Sequence, residues 1–319
     1  MTLSSSAVHQ MSVSANVAIS RALANGSPLM KSSPRTEPGL VAAVHLGAIP
    51  DIAAAWSPLF TLAGLNLKLT GVFCHQSPMV IYSDVRGKRQ RCELADFLVV
   101  IDVRTSRWTG RRGALIQAKM AAQAGTADIK KGSGWTQLSL YQNWPRFDFE
   151  QVAYRLKSVD LTLGVDSDHS GTYGIIDRHW HRSQAPRWTQ LPANPTPKKT
   201  SGYAELGDFL ARMVAGQSGY GRAVDACINP TWTEVVDALM RETFSKTFRH
   251  SSTLGNIAAP RSVSAMSLLA APTAGFVMSG GTGGPPDGQF SGIDDGPTGI
   301  TTLLIEVAER EIPDRPEWL

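Results

Sequence analysis

An acid, an amide and a lysine at suggestive spacing carry the chemistry legible in this 319-residue chain. Asp96 opens the apolar run Phe97 to Val103, and Gln117 and Lys119 lie near the end of a second run, A-L-I-Q-A-K-M. Phosphodiester hydrolysis calls for such a set. A hard divalent cation on carboxylate oxygens polarises the phosphate and lowers the pKa of bound water. A lysine orients or activates that water and offsets charge in the transition state. Residues two apart in an extended strand point to one face. Gln117 and Lys119 can therefore share a site while Ala118 faces the core, and Asp96 meets them across a hairpin. Glu93 is the second acid. It lies three residues before Asp96, which in a regular strand means opposite faces, so a bulge or turn must intervene. His75, in F-C-H-Q-S-P, is an accessory candidate for orienting phosphate or water.

The elements that must position these residues follow from pattern and punctuation. Phe97 to Val103 and Ala114 to Met120 read as strands by their Val and Ile content and apolar runs. Thr109 to Gly113 supplies turn residues between them, as an antiparallel hairpin requires. Trp135 to Trp144 follows a helical period and ends before Pro145. Tyr173 to Ile176 reads as a core strand. Leu67 to Cys74 and Met79 to Tyr82 read as shorter strands. Ala42 to Leu62 holds a helix, or a strand and a helix, with Pro50 as a boundary. Tyr203 to Ala215 and Thr231 to Arg249 read as amphipathic helices, and Ile300 to Val307 as a final strand pairing back into the sheet.

These residues resemble the PD-(D/E)xK nuclease superfamily, in the variant where Gln replaces the second acid. The likeness rests on the 30 residues from Arg91 to Met120, with the strand-strand-helix order around them in support. It implies an α/β fold: a restriction-endonuclease-like mixed β-sheet core flanked by helices, with a helical C-terminal part. It implies Mg2+ or Mn2+ as cofactor, with Asp96 as metal ligand and Lys119 assisting the attacking water. Gln117 would lend its carbonyl or its neighbouring backbone to the metal shell, and Glu93 would be a further ligand. The implied activity is endonucleolytic cleavage of DNA, RNA not being excluded. Bacterial proteins with such a core often serve restriction or antiviral defence, which implies a companion sensor or ATPase subunit, or assembly into a homo-oligomer. One feature departs from the pattern. Many members carry an acid on a helix before the core, and the segment Ala42 to Tyr82 offers only Asp51.

Charge distribution agrees with a polyanionic substrate. The chain's formal charge is +4, but residues 86–131 hold eleven basic residues against four acids, a local excess of +7. Within it, Arg104, Arg107, Trp108, Arg111 and Arg112 cluster at the expected hairpin turn, and Lys130 and Lys131 follow the second strand. Arginine binds phosphate and tryptophan stacks on bases, so these are the expected nucleic-acid contacts. The plainer reading is a solvated hairpin tip.

Three domains are expected: a loose N-terminal arm over 1–40, a nuclease-like core over 41–200, and a helical part over 201–319. The last contains a Gly/Pro-rich insertion at 279–299. Three isolated cysteines with no C-x-x-C pair argue against structural zinc or a disulfide framework. No uninterrupted apolar run approaches the ~20 residues of a membrane helix. The N-terminus also lacks the pattern of a signal peptide. A cytoplasmic protein is expected.

Competing readings remain. An acid at a strand start and a lysine within a strand also fit a salt-bridged structural strand, although a buried lysine needs a partner. A non-catalytic nucleic-acid-binding or assembly subunit with a nuclease-like fold accounts for the missing helix acid. A zinc hydrolase would use Asp166, Asp168, His169, Asp177, His179 and His181, where H-x-H can place two imidazoles on one face. The stretch G-Q-S-G-Y-G before Arg222 lacks the G-K-[ST] ending of a phosphate loop and reads as a connection, with Arg222 near enough to such a loop to meet a phosphate.

Overall fold

The structure is a computed structural model that describes residues 3–27, 34–74, 78–121, 127, 133–178, 185–190, 204–244, 265–271, 275–278 and 299–310. His75, Lys130, Lys131, His179 and His181, and nearly all of the Gly/Pro-rich stretch at 279–299, lie outside the described residues.

Apolar runs without helical period become the strands of one mixed sheet: β1 (Leu65–Cys74), β4 (Phe97–Arg104), β5 (Thr109–Met120), β7 (Gly171–Asp177) and β13 (Thr301–Glu309). Around them stand β8 (Arg187–Gln190), β9 (Ala204–Glu205), β11 (Ala265–Ala271) and β12 (Gly275–Met278). The order is β12-β11-β1-β13-β4-β5-β7-β8-β9, and β10 (Arg222–Ala223) pairs with β5 outside that path. Two pairings are parallel, β13 with β4 and β5 with β7. The strand expected at the C-terminal end thus runs through the middle of the sheet, because both its faces are apolar and must be covered. A second, three-stranded sheet holds β3 (Arg89–Glu93), β2 (Met79–Ser83) and β6 (Phe147–Phe149) in that order.

Alternation along β4 divides the core. Phe97, Val99, Ile101 and Val103 face a layer built by α1 (Ser5–Asn25), α2 (Glu37–Ala43), α3 (Ile49–Leu62) and α5 (Leu206–Val214). Leu98 and Val100 face α4 (Ser133–Asn143), α6 (Pro230–Phe244) and the small sheet. The fold is therefore mixed α/β, a mixed sheet with helices on both faces.

Within the expected arm, Ser5–Asn25 forms the helix α1, which packs into the core. Ser4 caps α1 by accepting a hydrogen bond from the Ala7 amide, and Met11, Ala15, Ile19 and Leu23 are buried at helical spacing. This face packs on α5, where Asn16 Oδ1 accepts from the Gly207 amide at 2.8 Å. Small and polar residues on its solvent side hide the stripe from a reading by composition. The contact also joins residues 1–40 to residues beyond 200 across the expected boundaries. Helices α2 and α3 are continuous through a π-helical turn at Val44–Ala48. The continuous helix Glu37–Leu62 is long and apolar enough to cross a membrane by composition, but 72% of that window is buried inside the protein.

The hairpin differs from expectation in one respect. Its turn is Thr105 to Trp108, where the Thr105 amide donates to the Trp108 carbonyl at 3.0 Å. Residues 109–113, expected as the turn, are strand: Val103 pairs with Gly110 and Ile101 with Arg112. Gly113 is held there by close approach, since a Cβ on it would meet the Trp232 ring at 3.2 Å.

Candidate active site at the open end of the hairpin

Strand alternation places Gln117 and Lys119 on one face of β5 and Ala118 on the other, where Ala118 is fully buried in the helical-layer core. Gln117 is fully buried too, in register with Tyr173 on β7. Asp96 stands just before β4, its amide bonded to the Ile116 carbonyl at 3.1 Å. Its Oδ2 accepts from the Gln117 side-chain amide and from the Ala118 amide, the latter at 2.8 Å. Asp96 and Gln117 therefore converge.

A change of sheet brings Glu93 near enough to act on the ionisation of Asp96. Glu93 is the last residue of β3, and the chain bends through Leu94 to Asp96 before β4 begins. The Leu94 amide turns back to the Pro78 carbonyl at 2.8 Å. This bend supplies the break in alternation that a shared site requires.

Lys119 is paired. Its Nζ donates to Glu37 Oε1 at 3.1 Å, and the Met120 amide donates to Glu37 Oε2 at 3.3 Å. Glu37 opens α2. It lies N-terminal to the segment Ala42 to Tyr82, in which Asp51 is the one acid. The local signal is T-E-P. Thr36 caps the helix by accepting from the Gly39 amide, Pro38 suits the first turn, and an acid there complements the helix dipole.

Three carboxylates, Glu37, Glu93 and Asp96, thus share one ammonium group. Burial pushes the Asp96 carboxyl well above the usual carboxylate range, Lys119 opposes this, and Glu93 and Glu37 add to it. Burial also raises Glu93, against Lys119 and with Glu37. Fully ionised, the group carries −2, the charge a divalent cation would balance. Gln117 Oε1 is buried with no hydrogen-bond partner among the described residues, a hard oxygen of the kind Mg2+ and Mn2+ accept. The donor set fits such an ion in type and charge. Among the described residues no three His, Cys, Asp or Glu side chains stand close enough to form a ready cage, since Glu37 is turned onto Lys119. A ligand set here would rest on Asp96, Glu93 and the Gln117 carbonyl, completed by water as Mg2+ prefers.

The aromatic wall behind the site comes from α4 and β7. Tyr141 donates to the Leu94 carbonyl at 2.8 Å and meets Tyr173 edge-on at 5.5 Å. Gln137, one turn before Tyr141, is buried, its Oε1 without a partner among the described residues.

The arginine cluster lies elsewhere. Asp96 and Arg104 are at opposite ends of β4, about 27 Å apart at ~3.4 Å per residue. No single phosphodiester reaches both. Arg104 pairs with Asp102, Arg111 with Asp237, and Arg112 donates to the Gly221 carbonyl at 2.8 Å. Trp108 is half-buried and packed against the core, while Arg107 is exposed. The turn is therefore not the place where a phosphate at the acidic cluster touches the protein.

The other candidates separate as well. Asp166, Asp168 and His169 precede β7, whereas Asp177 ends it, about 20 Å away by strand rise, so these four described candidates for zinc do not converge. Arg222 is fully buried. It donates to the carbonyls of Leu161, Leu163 and Val165, to Ser170 Oγ and to Asn229 Oδ1, which bars it from a phosphate.

Comparison of the chain with family models, with curated proteins and with solved structures returns no match.

Proposed function

We propose that this protein is a metal-dependent nuclease with a restriction-endonuclease-like core, hydrolysing phosphodiester bonds in DNA or RNA. One observation carries the reading: Asp96 contacts Gln117, and Lys119 contacts Glu37, at the open end of one hairpin, with Glu93 near enough to act on the ionisation of Asp96. A Mg2+ or Mn2+ ion bound there would supply Lewis-acid polarisation of the phosphate. Asp96 and Glu93 would hold the ion, with the Gln117 carbonyl beside them. Lys119, released from or shared with Glu37, would stand over the attacking water and stabilise charge as it develops. Restriction or antiviral defence, and control by a companion sensor or ATPase subunit or by self-assembly, belong to this reading as its proposed setting.

The test is cleavage of labelled DNA and RNA by the full chain with Mg2+ or Mn2+, alongside Asp96→Ala and Lys119→Ala. Both substitutions are expected to abolish cutting; metal-dependent cutting at the wild-type rate in either would end the assignment. A second reading, a non-catalytic nucleic-acid-binding subunit, is favoured by the Lys119–Glu37 ion pair, which occupies the lysine. Binding of nucleic acid with no cutting under any divalent cation would select it.

A further inference from the structure

The β2–β3 hairpin carries an exposed cationic edge that ends at the acidic cluster. Arg89, Arg91 and Glu93 alternate along β3, so all three side chains leave the same face. Tyr82 and Cys92, of opposite parity, are buried beneath. Glu93 belongs to the acidic cluster, and Arg91 and Arg89 follow at steps of about 7 Å, a spacing of the order of successive phosphates in an extended strand. Arg86 and Lys88 continue the line in the exposed turn, whose one acid, Asp84, is engaged by the amides of Arg86 and Lys88. Arg86, Lys88 and Arg89 form no salt bridge among the described residues. Arg91 gives Nε and Nη2 to Glu150 and stays 57% exposed, its Nη1 directed to no protein acceptor among the described residues. Helix α4 packs under β3, the edge strand of the small sheet, its first turn tied to the underside of the hairpin by the Tyr82 hydroxyl, which donates to the Thr136 carbonyl at 2.6 Å; Trp135 in that turn is 55% exposed.

We infer that a single strand of nucleic acid runs from the acidic cluster along β3, with Arg91, Arg89, Lys88 and Arg86 on successive phosphates and Trp135 available to stack on a base. This deepens the nuclease reading and rests on it for the direction of the strand. It moves the substrate contact from the β4–β5 turn to the β2–β3 hairpin, at the end of the molecule where the acids are.

Binding separates from cutting when Ca2+ replaces Mg2+. Fluorescence anisotropy of labelled single-stranded DNA, and separately RNA, is measured against the full chain over a salt series. The combined variant Arg86→Ala, Lys88→Ala, Arg89→Ala is expected to bind at least ten-fold more weakly, with the slope of log affinity against log salt reduced by about 2. Trp135→Ala is expected to lose about ten-fold with the slope unchanged. Arg104→Ala with Arg107→Ala, at the far turn, should stay within two-fold of wild type. DNA and RNA share the phosphodiester chemistry, and hairpin-dependent binding of either supports the track. It is overturned if neither binds, if the triple variant binds as wild type does, or if the far-turn variant shows the larger loss. Hairpin-dependent binding with no cutting in Mg2+ or Mn2+ would remove the nuclease reading and keep the track. Cutting that ignores the hairpin charges would do the reverse.

Discussion

Lys119 Nζ lies 3.1 Å from Glu37 Oε1 across 82 residues of sequence. The Met120 amide reaches the other oxygen of the same carboxylate. Glu37 is thereby fixed over the end of β5 from the helical layer, and it brings a third carboxylate into the field of Asp96 and Glu93. A lysine facing one carboxylate would be an ordinary ion pair, worth little where solvent reaches it. Here the lysine stands among three carboxylates, two of them pushed toward protonation by burial, and the proposed divalent cation would offset their charge.

Glu37→Gln keeps the shape and the acceptor but removes one charge. Cleavage is expected to fall about 100-fold, with Mn2+ affinity weakened about ten-fold, on the scale seen when groups supporting a metal site are removed. Lys119→Met is expected to lose about 10²–10⁴ in the single-turnover rate with metal affinity retained or improved, because a competing cation is gone. Single-turnover cleavage and Mn2+ titration check both. A Glu37→Gln protein cutting at the wild-type rate would reduce the ion pair to a structural one.

His45 sets a pH window for stability. It sits in the π-helical turn, fully buried, and its Nε2–H donates to the Thr302 carbonyl of β13 at 2.8 Å. Burial lowers its pKa to about 4, against the Thr302 hydrogen bond. The unfolded chain takes up this proton near pH 6.5, so it binds more protons than the folded chain between about 6.5 and 4. The contribution is complete above that window and lost progressively as pH falls through it, on the order of 3 kcal/mol in all. Glu93 and Asp96, raised by burial, act with the opposite sign. The His45 part is therefore read as the difference between wild type and His45→Gln in urea midpoints from pH 7 to pH 4. A difference that does not change with pH would contradict it.

Arg222 holds the segment 161–170 to the sheet by replacing water around one guanidinium with three backbone carbonyls, a hydroxyl and an amide oxygen. Burial lowers its pKa to about 10. Arg222→Met would leave those acceptors unpaired and is expected to cost about 3–5 kcal/mol, measured by chemical denaturation. Arg222→Lys should recover little, since an ammonium cannot span the same fork. Wild-type stability in Arg222→Met would show that solvent satisfies the carbonyls.

Gly207 marks where α1 and α5 touch. A Cβ there would lie 2.4 Å from Asn16 Oδ1 and 2.7 Å from the Asn16 amide, which is backbone and cannot swing away. Gly207→Ala is expected to destabilise by about 1–3 kcal/mol through overpacking, seen as a lowered thermal midpoint. An unchanged midpoint would mean that α1 is dispensable to the fold.

Much of the site was legible in local pattern. The apolar runs around Asp96 and Gln117-Ala118-Lys119 defined two strands, and period-two alternation alone put Gln117 and Lys119 on one face with Ala118 opposite. The turn was misplaced because Gly110 and Gly113 suit a bend, while their pairing with Val103 and Val100 depends on partners the local sequence does not name. The arginines lie at the far end of β4 from Asp96: charge is visible in a sequence, but its distance from an acid is not.

The sequence by itself determined the chemistry-bearing strand pair, the helix after it and the apolar strand at the C-terminal end, since each is set by periodicity within a few residues. Only the tertiary structure decided that β13 passes between β1 and β4, that α1 is core, and that a bend between two sheets separates Glu93 from Asp96. It also brought Glu37, from α2, onto Lys119. Such relations depend on which buried surfaces meet and where a charge finds its partner, and they are settled by contacts across tens to hundreds of residues that no local window contains.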